Sequence, residues 1–293
     1  MEPGIRNNNK EIDMDLKLRN GLRPNKRLGQ HFLTDNNTIG KIISISGVTS
    51  SDDILEIGPG KGALTIPLAG KVNSIVAVEK DSRMVDYLAD ILVKKNIENV
   101  DVINEDILKT DIKKVFDNKK NKLKVAGNLP YNISSPLLEK LISNKDYISK
   151  AFLMFQYEFA GRLAAAPGNR EYGAITVMTR YQSSVSKLLE VNRNVFYPRP
   201  KVGSIVVEID MEKPYPVRAL NDKIFKVVVK GAFAQRRKTI KNSLKVISGH
   251  FSGEQVTKAL EECGIDPKRR AETLDMDEFL CLSDTLSKIQ LST

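Results

Sequence analysis

The sequence predicts an α/β protein, in which a mostly parallel β-sheet flanked by helices is followed by a small all-helical C-terminal domain. Short apolar segments alternate with amphipathic ones from residue 35 onward. A glycine-rich turn follows the first of the apolar segments, and no strand-like segment occurs after about residue 219. Regular alternation of this kind is typical of βαβ units around a parallel sheet.

The apolar segments predict strands, in chain order, at 53–57, 74–79, 100–103, 123–126 and 151–155. The intervening segments predict helices at 38–46, 63–69, 83–95, 136–142 and from 156 to about 165. Two further strands, at 185–191 and 203–209, are joined through FYPRPK. That connection has a length that suits an antiparallel return, so we expect one antiparallel strand at the sheet edge.

Changes in composition predict three parts of the chain. Residues 1–28 are polar and rich in Lys and Arg, which predicts a flexible basic arm. Residues 29–213 contain the alternating pattern and form the predicted catalytic domain. After the prolines of KPYPVR, residues 218–293 contain only helical patterns and form the predicted helical domain.

Composition excludes several functional classes. Lys and Arg number 46 against 36 Asp and Glu, giving a net charge of +10 and a pI near 9.4, which favours a polyanionic partner such as nucleic acid. The apolar runs are too short to span a membrane, and the N-terminus lacks the apolar core of a signal peptide, so we expect a cytoplasmic protein. Cys263 and Cys281, with His31 and His250, are too few for a disulfide scaffold or for a zinc or His-rich metal centre, so we expect no metal.

The turn after the first strand, GPGKGA, predicts a nucleoside site. Gly58, Gly60 and Gly62 permit tight backbone geometry and a close approach of a ligand. Glu79 ends the next strand, where a carboxylate accepts hydrogen bonds from ribose hydroxyls in Rossmann-like folds. Asp106 follows the third strand and is placed to accept a hydrogen bond from an adenine amine. These residues alone leave NAD and S-adenosylmethionine open as the ligand.

The tetrapeptide Asn128-Leu129-Pro130-Tyr131 follows the fourth strand and is expected at the same edge of the sheet as the glycine turn. The N6 amine of adenine is a poor nucleophile because its lone pair is delocalised into the ring. The side-chain oxygen of Asn128 and a backbone carbonyl of Leu129 or Pro130 are suited to accept its two N–H bonds. Pro130 stiffens the turn, and the ring of Tyr131 is suited to stack on an extruded base.

The ordered motifs resemble those of the KsgA-type small-subunit rRNA adenine dimethyltransferases. The resemblance runs from about residue 27 to the C-terminus. The motifs are GQHFL, EIGPGKGALT, VEKD, EDIL, NLPYNISSP, FQYEFAGRLAAAPGNREYGAIT, FYPRPKVGSIVV, FAQRRKTIKNSL and RAETL. The departures are small, as at His31, where the family often has Asn, and none affects the tetrapeptide.

The resemblance implies a class I methyltransferase sheet that binds S-adenosylmethionine. The residues expected to contact this cofactor are Gln30, His31, Leu33, Gly58, Gly60, Glu79, Lys80, Asp106, Ile107 and Asn128. The catalytic residues expected are Asn128, Leu129, Pro130, Tyr131 and Phe196, with the Phe196 ring flanking the target base opposite Tyr131. The implied reaction is dimethylation at N6 of two adjacent adenosines in the 3′-terminal hairpin loop of small-subunit rRNA, within an immature small ribosomal subunit. We expect a monomer.

Basic residues predict the RNA surface. Residues 223–245 contain eight cations and no acidic residue, a pattern expected of phosphate binding. The residues predicted to contact RNA are Arg199, Lys201, Arg236, Arg237, Lys238 and Lys241, with Arg162 and Arg170 as further candidates.

Three other functions are compatible with parts of the sequence. A large-subunit rRNA adenine methyltransferase conferring antibiotic resistance would share the catalytic loop, but we expect it to lack the helical domain with its RRKT segment. A non-catalytic RNA-binding relative would retain the fold, although the intact NLPY segment, Glu79 and Asp106 argue against it. A NAD-dependent oxidoreductase fits GPGKGA, but no residues are placed for hydride chemistry.

Overall fold

The computed structural model describes residues 22–117 and 119–291, so most of the predicted basic arm lies outside the described residues. The strands are β1 Phe32–Leu33, β2 Asp53–Ile57, β3 Ser74–Glu79, β4 Val100–Asn104, β5 Leu123–Asn128, β6 Ile148–Gln156, β7 Ser184–Val191, β8 Phe196–Tyr197 and β9 Ser204–Asp210. The α-helices are α1 Asn36–Ile45, α2 Thr65–Ala69, α3 Ser82–Lys94, α4 Ile112–Phe116, α5 Ser134–Ser143, α6 Tyr157–Ala164, α7 Ala174–Gln182, α8 Asp222–Phe233, α9 Ile240–Ser243, α10 Gly253–Glu262 and α11 Met276–Leu291.

The central sheet has seven strands in the order β4-β3-β2-β5-β6-β9-β7. The pairs β3–β4, β2–β3, β2–β5 and β5–β6 are parallel, which confirms the predicted mostly parallel α/β sheet. Strand β7 forms one edge of this sheet, and β9 lies between β7 and β6. A separate two-stranded ribbon pairs β1 with β8, and its strands of two residues are too short to give a periodic pattern in the sequence.

Burial explains why the central strands form where they do. Every residue of β2 is buried, and so are the last five residues of β3. Strands covered on both faces need near-continuous apolar sequence, and DILEI and SIVAVE supply it. Of the polar residues in these two strands, Asp53 and Ser74 bond to each other, whereas Glu56 and Glu79 require a separate explanation.

The chain folds into two compact units. The first contains residues 22–157 and Leu188–Glu208, and the second contains Glu158–Lys187 and residues 209–291. The predicted domains assigned Glu158–Lys187 to the catalytic part, whereas its buried Tyr172, Val177 and Tyr181 pack in one core with the C-terminal helices. The boundary between functional domains stays a prediction.

The helical unit has its own core and one covalent cross-link. The rings of Tyr181 and Phe225 lie 4.3 Å apart between centroids, and Phe279 packs on Phe233 at 5.7 Å. Cys263 and Cys281 form a disulfide across α10 and α11, a pairing that the sequence did not predict. Within the described ranges, none of the helices has the length and apolar character that a bilayer span requires.

Candidate active site

A cleft with about 1210 Å³ of empty space, part of it open to solvent, lies where β2, β3 and β5 end. Parallel strands place their carboxyl ends at one edge of a sheet, so the three following loops converge there. The sequence-predicted residues that line the cleft are Gln30, His31, Leu33, Gly58, Gly60, Glu79, Lys80, Asp106, Ile107, Asn128, Leu129, Pro130 and Tyr131.

The glycine turn contains three residues in the left-handed region. Gly58, Gly60 and Gly62 have φ values of +65°, +55° and +79°. A Cβ built on Gly60 would lie 3.0 Å from Cε1 of Phe32, so only glycine fits without displacing that ring. The Gly60 N–H donates a hydrogen bond to Oε2 of Glu79 at 3.1 Å, which ties the turn to the next strand.

Glu79 is a buried carboxylate with acceptor capacity to spare. It is 7% exposed, and its Oε1 accepts a hydrogen bond from the Asp81 N–H at 2.9 Å. Burial raises its pKa above the usual value. A carboxylate has about four acceptor positions, and the Gly60 and Asp81 N–H groups do not fill them. Glu79 is therefore able to accept hydrogen bonds from ligand hydroxyls.

Asp106 stands at the end of the neighbouring strand and is held ionised. Its Oδ2 accepts a hydrogen bond from Nζ of Lys80 at 2.8 Å, and its Oδ1 accepts one from the Leu108 N–H at 3.0 Å. The Lys80 ammonium is the largest cause that lowers the pKa of Asp106. This carboxylate is an acceptor at neutral pH, as the recognition of an exocyclic amine requires.

Asn128, the last residue of β5, is oriented by one hydrogen bond. Its Nδ2 donates to the backbone carbonyl of His31 at 2.7 Å. A carbonyl only accepts hydrogen bonds, so the amide nitrogen must face His31 and the amide oxygen must face away. The hydrogen bonds among the described residues leave Oδ1 without a donor, which makes it available to a ligand N–H.

Gly127 sets the distance between β5 and β2, and the sequence analysis did not single it out. Gly127 lies opposite Ile57 in the parallel register. A Cβ at this position would lie 2.7 Å from the Ile57 carbonyl oxygen. The close approach brings Asn128 beside the glycine turn, and it depends on the strand register, which the sequence alone does not give.

Tyr131 lies against His31 at the far side of the tetrapeptide. Their ring centroids are 5.6 Å apart with an interplanar angle of 27°, and the Tyr131 hydroxyl lies 3.2 Å from Oγ of Ser204. Burial raises the pKa of the Tyr131 phenol. The His31 ring is itself fixed, because its Nδ1 donates to the Pro198 carbonyl at 2.6 Å. The Tyr131 ring is thus held in place before any base binds.

Phe196 does not line this cleft. Its side chain is 4% exposed and belongs to the core that contains Leu33, its partner in the ribbon. In the structure as it stands the ring is inaccessible to a base. Its assignment as the residue that flanks the target base stays a prediction and requires the ring to move.

Glu56 is a cleft residue that the sequence analysis missed. It is 1% exposed, and its Oε2 has no hydrogen-bond partner among residues 22–117 and 119–291. Burial, with the nearby Glu79 carboxylate adding to it, raises its pKa to about 7. The signal was present in the sequence as an acidic residue within the otherwise apolar part of β2.

The loop that carries Gln30 is fastened to the cleft by polar contacts. Oε1 of Gln30 accepts from the Asn25 N–H at 2.8 Å, and its Nε2 donates to Oδ2 of Asp81 at 2.9 Å. Both ends of the side chain are therefore used within the protein. Gln30 lines the cleft as a residue that positions the loop, and Asp81 is its anchor.

The predicted RNA-binding residues are divided between the two units. Arg199 and Lys201 are exposed in the first, and Arg236, Arg237, Lys238 and Lys241 are exposed in the second. Arg236 is partly engaged, because its guanidinium donates to the carbonyls of Arg170 and Tyr172 and lies 3.8 Å from Glu272. Among the described residues, no group of three or more His, Cys, Asp or Glu is placed to hold a metal ion.

Comparison with known proteins gives concordant results over most of the chain. A family model described as ribosomal RNA adenine dimethylase matches residues 21–288. Ribosomal RNA small subunit methyltransferase A of Desulforapulum autotrophicum is 43% identical over 265 residues, which cover 90% of this chain and 93% of that protein. The protein of the same name from Geobacter metallireducens is 42% identical, with coverages of 90% and 95%.

Two solved structures share the fold. A dimethyladenosine transferase from Plasmodium falciparum is 29% identical, with a TM-score of 0.74 and coverage of 86% of this chain and 95% of that one. The 23S rRNA methyltransferase ErmE is 24% identical, with a TM-score of 0.66 and coverages of 87% and 99%. Since 87% of this chain exceeds residues 29–213, the shared fold extends into the helical domain, so the expectation that a large-subunit enzyme lacks this domain does not hold for ErmE.

Proposed function

The chain belongs to the ribosomal RNA adenine dimethylase family, and from that premise we propose its substrate and donor. The substrate is small-subunit rRNA, in which two adjacent adenosines of the 3′-terminal hairpin loop are dimethylated at N6. The donor is S-adenosylmethionine. The observation that carries the proposal is the Asn128 amide, whose nitrogen is tied to the His31 carbonyl and whose oxygen is left for an N–H donor.

The residues of the cleft fit the adenosyl part of this donor. Glu79 retains acceptor capacity for the two ribose hydroxyls, and the ionised Asp106 suits the adenine amine. The backbone at Gly58 and Gly60 allows the donor to approach closely, because no Cβ intervenes. When bound, the donor supplies an electrophilic methyl group on a sulfonium.

The tetrapeptide acts on the adenine of the RNA. Oδ1 of Asn128 accepts one N6–H bond and a backbone carbonyl of Leu129 or Pro130 accepts the other, which localises the nitrogen lone pair. The side-chain amide is held before the base arrives, so little reorganisation is required during the reaction. No strong general base is needed, because the methylated amine is acidic and releases its proton to water.

The target adenine reaches the tetrapeptide only when it is unpaired. The edges of an A-form duplex are hidden from side chains, whereas loop bases are extruded and stacked on aromatic rings. The half-buried ring of Tyr131, fixed against His31, supplies such a surface. The proposed substrate is an unpaired hairpin loop in an immature small subunit. The enzyme is proposed to act on it as a monomer in the cytoplasm.

The test is transfer of a radiolabelled methyl group to undermethylated small-subunit particles, with mass mapping of the product nucleosides. We expect N6,N6-dimethyladenosine at two adjacent positions. Isolated large-subunit RNA is the matched control, because ErmE, which shares the fold, is a 23S rRNA methyltransferase. Label in the large-subunit RNA alone would overturn the proposal.

A further inference from the structure

Tyr197 exposes an aromatic ring beside the cleft. Its side chain is 63% exposed, whereas its neighbour Phe196 is 4% exposed. Alternate residues of a strand point to opposite faces, so burial of Phe196 in the core forces Tyr197 outward. An exposed tyrosine by itself is ordinary on a protein surface. The surroundings of Tyr197 distinguish it from an ordinary exposed tyrosine.

The pairing of β1 with β8 places Tyr197 next to a wall of the cleft. Tyr197 lies opposite Phe32 in the antiparallel register, and residues so paired present their side chains on the same face. Phe32 lines the cleft, and Nζ of Lys61 lies 5.2 Å from its ring centroid. The Tyr197 ring is thus a neighbour of the cleft wall.

The segment after Tyr197 adds two cations on the solvent side. Arg199 and Lys201 are exposed, whereas Pro198 is half-buried and Pro200 is buried. The exposed positions therefore alternate with proline in the sequence Tyr-Pro-Arg-Pro-Lys. Proline fixes φ, so the spacing of the ring and the two charges is restricted before any ligand binds.

Both ends of this segment are held to the first unit. The Pro198 carbonyl accepts a hydrogen bond from Nδ1 of His31 at 2.6 Å, and the Lys201 carbonyl accepts one from the Arg193 guanidinium at 3.1 Å. The first of these bonds joins the segment to the residue whose own carbonyl orients Asn128. A ring and two cations on a fastened backbone are typical of sites for single-stranded nucleic acid.

We propose that Tyr197 stacks on the unpaired nucleotide next to the adenosine in the cleft, while Arg199 and Lys201 contact the adjoining phosphates. The proposal rests on the proposed function and adds a second, external base site to it. A loop with two adjacent target adenosines suits this arrangement, because one base occupies the cleft while its neighbour needs support outside it.

The test compares the full-length wild type with Tyr197→Ala, Tyr197→Leu and Tyr197→Phe. Tyr197→Leu is the matched control, since it keeps apolar area but has no aromatic face. The probe is a hairpin RNA with two adjacent loop adenosines and 2-aminopurine at the next nucleotide. We expect the Ala and Leu variants to bind about 5- to 150-fold more weakly, with a higher KM and nearly unchanged kcat. Binding and 2-aminopurine quenching should be near wild type in the Phe variant.

Equal affinity and equal quenching in all four proteins would overturn the external base site. Circular dichroism melting of each variant checks that the fold is retained. Methyl transfer by the wild type is scored separately on small-subunit particles. If the wild type methylates the particles and the Tyr197 series is uniform, the base site fails and the proposed function stands. If the wild type transfers no methyl group, the proposed function fails whatever the Tyr197 series gives.

Discussion

At the scale of single residues, chemistry in the cleft depends on the orientation of one amide. The hydrogen bond from Asn128 to the His31 carbonyl determines which end of the amide meets the substrate. The cofactor is expected to be bound mainly by other residues, chiefly Glu79, Asp106 and the glycine turn. The tetrapeptide and the donor site are therefore separable by mutation.

Asn128→Ala is expected to reduce kcat by about 100-fold or more, the scale of losses measured when one preorganised polar group is removed from an active site. Isothermal titration with S-adenosylmethionine should give an affinity close to that of the wild type. Asn144→Ala, an amide in the cap of α5 outside the cleft, is the control and should leave kcat unchanged. Near-normal turnover in Asn128→Ala would contradict the assignment.

Glu79→Ala is expected to weaken binding of the donor, which Asn128→Ala should leave close to that of the wild type. It removes the acceptor proposed for the ribose hydroxyls and the partner of the Gly60 N–H. Hydrogen bonds to charged groups are worth about 1.5–3 kcal/mol each, so donor affinity should fall by at least about 10-fold. Unaltered affinity in calorimetry would show that the ribose is held elsewhere.

Glu56 predicts a pH dependence of stability. Its pKa rises from an ordinary 4.5 to about 7 in the folded protein. Between these values the folded state keeps a proton that the unfolded chain has lost, so the free energy of unfolding falls as pH rises and levels off above pH 7. The rise corresponds to roughly 3 kcal/mol.

Glu56→Gln removes this titration and is the variant that tests it. Urea unfolding of both proteins at about pH 5 and about pH 8, on either side of the raised pKa, should show the variant gaining stability relative to the wild type as pH increases. A buried amide has its own cost, so the test is the change with pH in the difference between the unfolding free energies of the variant and the wild type. An equal difference at both pH values would exclude a raised pKa at Glu56.

At the scale of elements, the position of Asn128 depends on the contact between β5 and β2. Gly127→Ala places a methyl group 2.7 Å from the Ile57 carbonyl oxygen, and backbone cannot give way as a flexible side chain does. We expect destabilisation of about 1–3 kcal/mol in chemical unfolding, together with reduced kcat because Asn128 shifts.

Gly40→Ala is the control for this substitution. Gly40 lies within α1, and nothing lies within 4 Å of the Cβ that would be added. Alanine in a helix interior is favoured over glycine by about 0.5–1 kcal/mol, so this variant should be slightly stabilised. A stable and fully active Gly127→Ala protein would show that the strands have room to separate.

The site residues that could be predicted are those that a local sequence pattern identifies. The glycines of GPGKGA, Glu79 and Asn128 follow strands whose apolar sequence identifies them, and the parallel sheet then brings them to one edge. Gly127, Asp81 and the burial of Phe196 depend on register and on contacts between distant segments. A ribbon of two-residue strands and a pairing of Cys263 with Cys281 leave no periodic signal, so neither could be predicted from the sequence.

At the scale of the whole molecule, the net charge of +10 predicts how binding responds to salt. Neutralised phosphates release counterions, so log K for a small-subunit RNA fragment should fall linearly with log salt concentration. Arg237→Gln and Lys241→Gln, both exposed in the helical unit, should each reduce the slope by about one. Lys258→Gln is the control, because that ammonium already lies 3.9 Å from Glu262. If neither Arg237→Gln nor Lys241→Gln changed the slope, the proposal that the helical unit contacts phosphates would be contradicted.

The most direct test of the role proposed for Asn128 is a ternary crystal structure with S-adenosylmethionine, or its demethylated product, and an adenosine-containing oligonucleotide. We expect Oδ1 of Asn128 to accept a hydrogen bond from the adenine N6, with Nδ2 still donating to the His31 carbonyl and the base lying against Tyr131. An ordered complex in which the Asn128 amide faces away from N6 and no base lies beside Tyr131 would contradict it.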